Sequence, residues 1–136
     1  MIENGWNITE IRVRYKDTDR MGVVYYGNYL TYFEVGRAEY MRALGYPYSE
    51  LESKGTTLAI VETGARYHSN VGYDALLTVK AAITEIKGAR LRFDYEIYSE
   101  DKGLLVTGYT VHACVSPDRK PVRIPEFLVK AVKAPS

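Results

Sequence analysis

From Gly55 to Ser116 the chain alternates apolar and polar residues almost without pause, and its interruptions are too short for anything but reversals. Leu91, Phe93, Tyr95 and Ile97 alternate with Arg90, Arg92, Asp94 and Glu96, the two-residue period of a half-buried strand. The same reading gives strands near 57–68, 75–87, 90–100 and 104–116. Lys87-Gly88 and Asp101-Lys102-Gly103 separate the last three, and Ser116 to Lys120 makes a further turn. Connections this tight require antiparallel pairing. Ile8 to Lys16 adds an earlier strand, with Ile11, Val13 and Tyr15 on one side and Arg12, Arg14 and Lys16 on the other. The expectation is an α+β domain with a five-stranded antiparallel sheet.

Only one stretch reads as a long helix. It starts at Asn28 as N-cap and runs to about Leu44, where Gly45 and Pro47 stop it. At 100° per residue Tyr29, Leu30, Phe33, Gly36, Tyr40, Met41, Ala43 and Leu44 share a side. Gly36 costs about 1 kcal/mol relative to Ala there, a cost explained if the helix backbone lies against a sheet. Arg37 falls in the same stripe, either snorkelling or paired with Glu34. A short helix begins at Pro125 and carries Phe127, Leu128 and Val132. One helix covers one sheet face, so the other meets solvent or another subunit.

Composition narrows the functional classes. The 136 residues fit one domain, 1–136, and 46% hydrophobic against 26% charged residues supports a packed core. Eighteen basic against seventeen acidic residues leave a net charge of +1, without the basic excess of a nucleic-acid binder. No apolar run reaches the ~20 residues needed to span a bilayer. The N-terminus lacks a positive n-region and an apolar h-region, so a cytoplasmic protein is expected. A single cysteine, Cys114, forms no internal disulfide, and with two histidines it makes no zinc site without carboxylates. Cys114 has no basic neighbour in sequence and reads as a buried, inert thiol. His112 reads as a packed, hydrogen-bonded strand histidine, and His68 as exposed at a strand end.

Chemistry concentrates between the first strand and the long helix. Residues 17–27 have no period and hold Asp17, Asp19 and two glycines; four of the thirteen tyrosines, Tyr25, Tyr26, Tyr29 and Tyr32, fall here and in the first helical turns. A helix N-terminus presents unpaired N–H groups suited to an anion or a developing oxyanion. A carboxylate beside it can act as general base or nucleophile on a carbonyl held by those amides. The same Asp-x-Asp before Gly is also ordinary turn composition, with aspartates capping the loop. Spacing leaves both readings open.

The run from Val13 through Asp17-Thr18-Asp19-Arg20-Met21-Gly22-Val23-Val24-Tyr25-Tyr26-Gly27-Asn28 to Tyr29, with Phe33-Glu34 and Arg37 after it, resembles the signature of the 4-hydroxybenzoyl-CoA thioesterase family, YbgC-like acyl-CoA thioesterases among them. Tyr73-Asp74 and Pro121 to Glu126 match in order. The resemblance implies a hotdog fold, a sheet wrapped around one central helix, and a homodimer that assembles into a homotetramer. It implies hydrolysis of an acyl-CoA thioester to a carboxylate and free coenzyme A. Coenzyme A belongs to the substrate, and no other cofactor or metal is called for. Asp19 takes the catalytic position, the backbone N–H of Tyr26 the oxyanion donor's, and Tyr25 lines the acyl pocket. Asp17 holds the loop by accepting backbone hydrogen bonds. Leu58, Ala59 and Ile60 fall beside the pantetheine arm, and Arg90, from the cluster with Lys87 and Arg92, is the choice for the phosphates. Tyr26 departs from the branch associated with the Tol–Pal system, which commonly carries His there.

An acyl-carrier protein is a close variant of the substrate. A hydratase or dehydratase is disfavoured, because no histidine lies in the loop–helix segment. A non-catalytic acyl-binding protein stands as the alternative, against which Asp19 speaks.

Overall fold

The computed structural model describes residues 1–134. Six strands form one antiparallel sheet: β1 (Ile2–Glu3), β2 (Trp6–Arg12), β3 (Thr57–Tyr67), β4 (Leu76–Lys87), β5 (Arg90–Ser99) and β6 (Gly103–Val115), in spatial order β1-β2-β4-β5-β6-β3. Helix α1 (Asn28–Leu44) packs on β2, β4 and β5; α2 (Tyr48–Ser53) and α3 (Glu126–Lys133) are short. This is the hotdog arrangement. The expected five strands become six because β1, two residues paired with the start of β2, is too short to show a period. The first strand also ends at Arg12 instead of Lys16: the chain tightens into a 3-10 turn at Tyr15–Asp17, which leaves Tyr15 77% exposed. Helix α2 was not expected, since six residues carry no legible stripe.

Helix α1 has the expected span, but its first cap is Gly27 and not Asn28. Asn28 is already helical, and its side chain donates to the Asp17 carbonyl instead. The buried side holds Tyr29, Tyr32, Phe33, Gly36, Arg37, Tyr40 and Met41, whereas Leu30 and Ala43 are exposed. Arg37 lies in the stripe as expected, and the face extends to Tyr32, whose hydroxyl finds Asp17 inside. Arg37 neither snorkels nor pairs with Glu34; its guanidinium approaches the Tyr95 hydroxyl at 3.5 Å. From Tyr95 the contacts continue to Thr110 Oγ1 at 2.7 Å and on to His112 Nε2 at 2.8 Å. His112, 1% exposed, is the packed strand histidine expected, and Cys114 is buried beside it. Burial raises the Cys114 thiol above its ordinary pKa.

The helix meets the sheet at two points where a glycine leaves room for its neighbour. A Cβ on Gly36 would lie 2.8 Å from Val79 Cγ1, inside van der Waals contact. One on Gly108 would lie 2.5 Å from the Phe33 ring, which instead stacks on Tyr95 at 4.4 Å. Gly36 thus lets the helix backbone approach β4, and Gly108 leaves room on β6 for the Phe33 ring of α1.

Candidate active site

The loop of residues 18–27 is held at both ends by main-chain contacts. Thr18 bridges Val24, and Val23 bridges Gly72 in the β3–β4 connection. Asp17 is the inner anchor, 5% exposed. Its Oδ2 accepts the Arg14 N–H at 3.1 Å and the Tyr32 hydroxyl at 3.0 Å. Its carbonyl accepts the Tyr25 N–H at 2.9 Å and the Asn28 amide at 2.8 Å. Burial would raise the Asp17 pKa, but these donors and the Arg14 charge outweigh it and hold the carboxyl below its ordinary value. A carboxylate so engaged has little left for a substrate.

Asp19 is arranged differently. It is exposed, and its Oδ1 accepts the Met21 N–H at 2.8 Å, which fixes the side chain over the turn. Among the described residues Oδ2 has no hydrogen-bond partner. Asp19, Tyr25, Asn28, Tyr15, Lys16, Thr18 and Arg20 line one open cleft of about 730 Å³. Beside it, α1 begins. The Tyr25 carbonyl accepts the Asn28 N–H and the Tyr26 carbonyl accepts that of Tyr29, but the N–H groups of Tyr26 and Gly27 donate to no protein acceptor among the described residues. Tyr25 and Tyr26 are 47% and 61% exposed, with rings 4.8 Å apart. Tyr67 extends this aromatic wall, 6.2 Å from the Tyr26 ring, and donates to the Tyr26 carbonyl at 3.3 Å.

The remaining predicted residues lie elsewhere in the chain. Leu58, Ala59 and Ile60 are on β3, and Arg90 opens β5. Arg90 borders a pocket of about 230 Å³ with Glu62, Glu85, Lys87 and Arg92, while Arg92 is engaged by Asp94 at 3.1 Å. A single chain thus joins Asp19, Tyr25 and the Tyr26 amide, and keeps the β3 and Arg90 groups apart from them. His68 is exposed, as expected, and contacts Thr107. No cluster of three or more His, Cys, Asp or Glu suited to a metal occurs among the described residues. Nor is any helix among them long and apolar enough to cross a membrane.

The profile of the thioesterase-like superfamily matches residues 13–132. The chain belongs to that superfamily. The acyl-CoA thioesterase YbgC of Haemophilus influenzae is 36% identical over 137 residues, covering 98% of this chain and 96% of that protein. A DHNA-CoA thioesterase from Staphylococcus aureus superposes with a TM-score of 0.82 at 37% identity, over 87% of this chain and 80% of its own. A 4-hydroxybenzoyl-CoA thioesterase variant in complex with 4-hydroxybenzoyl-CoA gives 0.87 at 17% identity, over 95% and 99%, a likeness of fold. Relatives that match over most of this chain are named as acyl-CoA thioesterases, so the similarity extends well beyond the loop.

Two parts of this thioesterase-like site escaped the sequence reading. Tyr67 was one strand residue among many, and its reach to Tyr26 depends on how β3 crosses the loop. Asn70, half-buried in the β3–β4 connection, donates to the Val24 carbonyl at 2.9 Å. No local pattern marks it, because its partner is far away in sequence.

Proposed function

We propose that this protein hydrolyses acyl-CoA thioesters, with Asp19 as the reacting carboxylate and the Tyr26 N–H as oxyanion donor. One observation carries the reading: a carboxylate fixed through one oxygen and free at the other shares a loop with unpaired N–H groups at the start of a helix. The thioester carbonyl would point at those N–H groups, which stabilise charge as it develops on oxygen. Asp19 would attack the carbonyl carbon, or take a proton from a water that does. If Asp19 attacks, the C–S bond breaks to give the thiolate and an acyl–aspartyl anhydride, which a water then hydrolyses to free the carboxylate and Asp19. If water attacks, the C–S bond breaks and the proton held by Asp19 passes to the sulfur. Either way one water is consumed, its OH going to the acyl group and a proton to coenzyme A, which leaves as the thiol. Tyr25, Tyr26 and Tyr67 supply an apolar wall for the acyl group, and Arg90 with Lys87 offers cations for the nucleotide phosphates. The reading is of a cytoplasmic reaction on acyl-CoA; an acyl-carrier protein would present the same thioester.

The site is completed by a second copy. β3 pairs only with β6 and leaves an eleven-residue edge that carries exposed Ile60, Val61 and Tyr67. A long apolar edge of this kind is a template for another strand. Two-fold pairing along it forms a dimer and adds the copy's Leu58–Ile60 stretch to the aromatic cleft, and two such dimers make the tetramer.

The test is thiol release from short, medium, long and aromatic acyl-CoA esters by the parent and by Asp19→Asn. The expected loss in kcat is about 10²–10⁴-fold, with acyl-CoA binding retained. Binding without release from any ester by the parent would instead establish a non-catalytic acyl-CoA-binding protein.

A further inference from the structure

We propose that Asn70 is a positioning residue for the oxyanion donor: its side-chain amide ties the β3–β4 connection to the Val24–Tyr25 peptide, next to the one that carries the Tyr26 N–H, and so aims that N–H. This rests on the reading of Tyr26 given above.

The contacts of Asn70 assign its two amide atoms without ambiguity. The Val71 N–H can only donate, so the atom it meets at 2.9 Å is Oδ1. The Val24 carbonyl can only accept, so the atom facing it at 2.9 Å is Nδ2. The Tyr29 hydroxyl then donates to Oδ1. Tyr29 is a protonated donor at neutral pH, as any tyrosine is, and burial, with the neighbouring Tyr67 adding to it, pushes its pKa further up, to about 12. One side chain therefore joins the β3–β4 connection, the first turn of α1 and the loop that carries Asp19.

What this does for Tyr26 follows from peptide geometry. The Val24–Tyr25 peptide is held on both sides, its carbonyl by Asn70 and its N–H by the Asp17 carbonyl at 2.9 Å. In the next peptide the Tyr25 carbonyl is held by the Asn28 N–H at 2.9 Å. A trans peptide is planar, with its N–H opposite its C=O. Fixing the Tyr25 carbonyl toward the helix therefore turns the Tyr26 N–H away from it. Val24 is 1% exposed, so its carbonyl has little access to water when Asn70 is lost. The peptide then turns to find another donor, and the plane after it turns too. Asn70 touches no reacting atom and acts through Val24 and Tyr25.

Asn70→Asp is the discriminating variant. It keeps the size and the Oδ1 acceptor but, when ionised, places an oxygen against the Val24 carbonyl. When protonated, it can donate there again. With an ester that the parent turns over, kcat at pH 8 should fall at least about tenfold with KM nearly unchanged, the pattern of an interaction made in the transition state. Because Asp19 is common to both proteins, the ratio of variant to parent kcat isolates position 70. That ratio should recover severalfold between pH 8 and pH 5.5 as the new carboxyl takes a proton. Tyr29→Phe, which removes one of the two donors to Oδ1, should lower kcat in the same direction and less. Hydrogen exchange by NMR reads the geometry apart from turnover: the Tyr25 N–H should lose protection in Asn70→Asp at pH 8 while core strand amides keep theirs. Parent-like kcat at pH 8, or a kcat ratio flat with pH alongside lowered thermal stability, overturns the role of Asn70 and leaves the thioesterase reading standing. No thiol release by the parent overturns that reading itself, and the catalytic role of Asn70 with it.

Discussion

Replacing Gly36 by Ala sets two effects of known sign against each other. In a solvent-exposed helix the change would stabilise by about 1 kcal/mol, the difference in helix propensity. Here the added methyl would sit 2.8 Å from Val79 Cγ1 and 3.5 Å from Ala81 Cβ, on the axis where α1 meets β4. Ordinary carbon contacts are about 3.5–4.0 Å, so the helix or Val79 must move by well over half an ångström. Val79 is fully buried and β-branched, with little rotamer freedom to yield. Overpacking of this kind costs about 1–3 kcal/mol, so Gly36→Ala should destabilise by up to about 2 kcal/mol after the propensity gain. Val79→Ala removes the obstructing methyl, and in that background the same change should turn neutral or stabilising. A double-mutant cycle from urea midpoints should give a coupling of at least about 1 kcal/mol. A gain in stability from Gly36→Ala with Val79 in place would refute the close-approach reasoning.

Burial, with the Arg37 charge adding to it, lowers the His112 pKa to about 4 from 6.5. Between those values the unfolded chain binds the extra proton, so His112 should erode stability as pH falls from about 6.5 to about 4, by about 3 kcal/mol in all, and no further below. Urea unfolding of the parent and His112→Gln across that range checks it; an equally steep pH dependence in the variant removes His112 as the cause. Ile60→Lys places a charge on the open β3 edge, and sedimentation should show the parent at twice the chain mass or more and the variant shifted toward monomer. A monomeric parent would break the dimer reading.

The parts of this protein legible in sequence are those set by near neighbours along the chain. Strand alternation in β5, the turns at Lys87-Gly88 and Asp101 to Gly103, and the stop at Gly45 act within a few residues, so the architecture could be read in advance. The Asp19 loop was legible in a second way, through a long and chemically varied motif. The helix face was only partly so. Periodicity grouped Leu30 and Ala43 with Phe33 and placed Arg37 in the same stripe, whereas Tyr32 went inside because Asp17 offered a partner, and Arg37 met Tyr95 instead of Glu34, contacts that a periodic plot does not contain.

Sequence alone determined that this chain makes an antiparallel sheet and one long helix, and that a carboxylate precedes the helix, because backbone period and turn chemistry are local. The family motif distinguished the two carboxylates, and tertiary structure supplied the physical reason why one is spent on holding the loop and the other is left open. Asp17 and Asp19 are two residues apart and chemically identical; the 3-10 turn points the first at Arg14 and Tyr32 and leaves the second facing the cleft. Tertiary structure also decided that Asn70 reaches Val24 across forty-six positions. Such contacts exist only once β3 has crossed to the far edge and returned, since hydrogen bonds between distant residues are set by where the sheet brings the backbone.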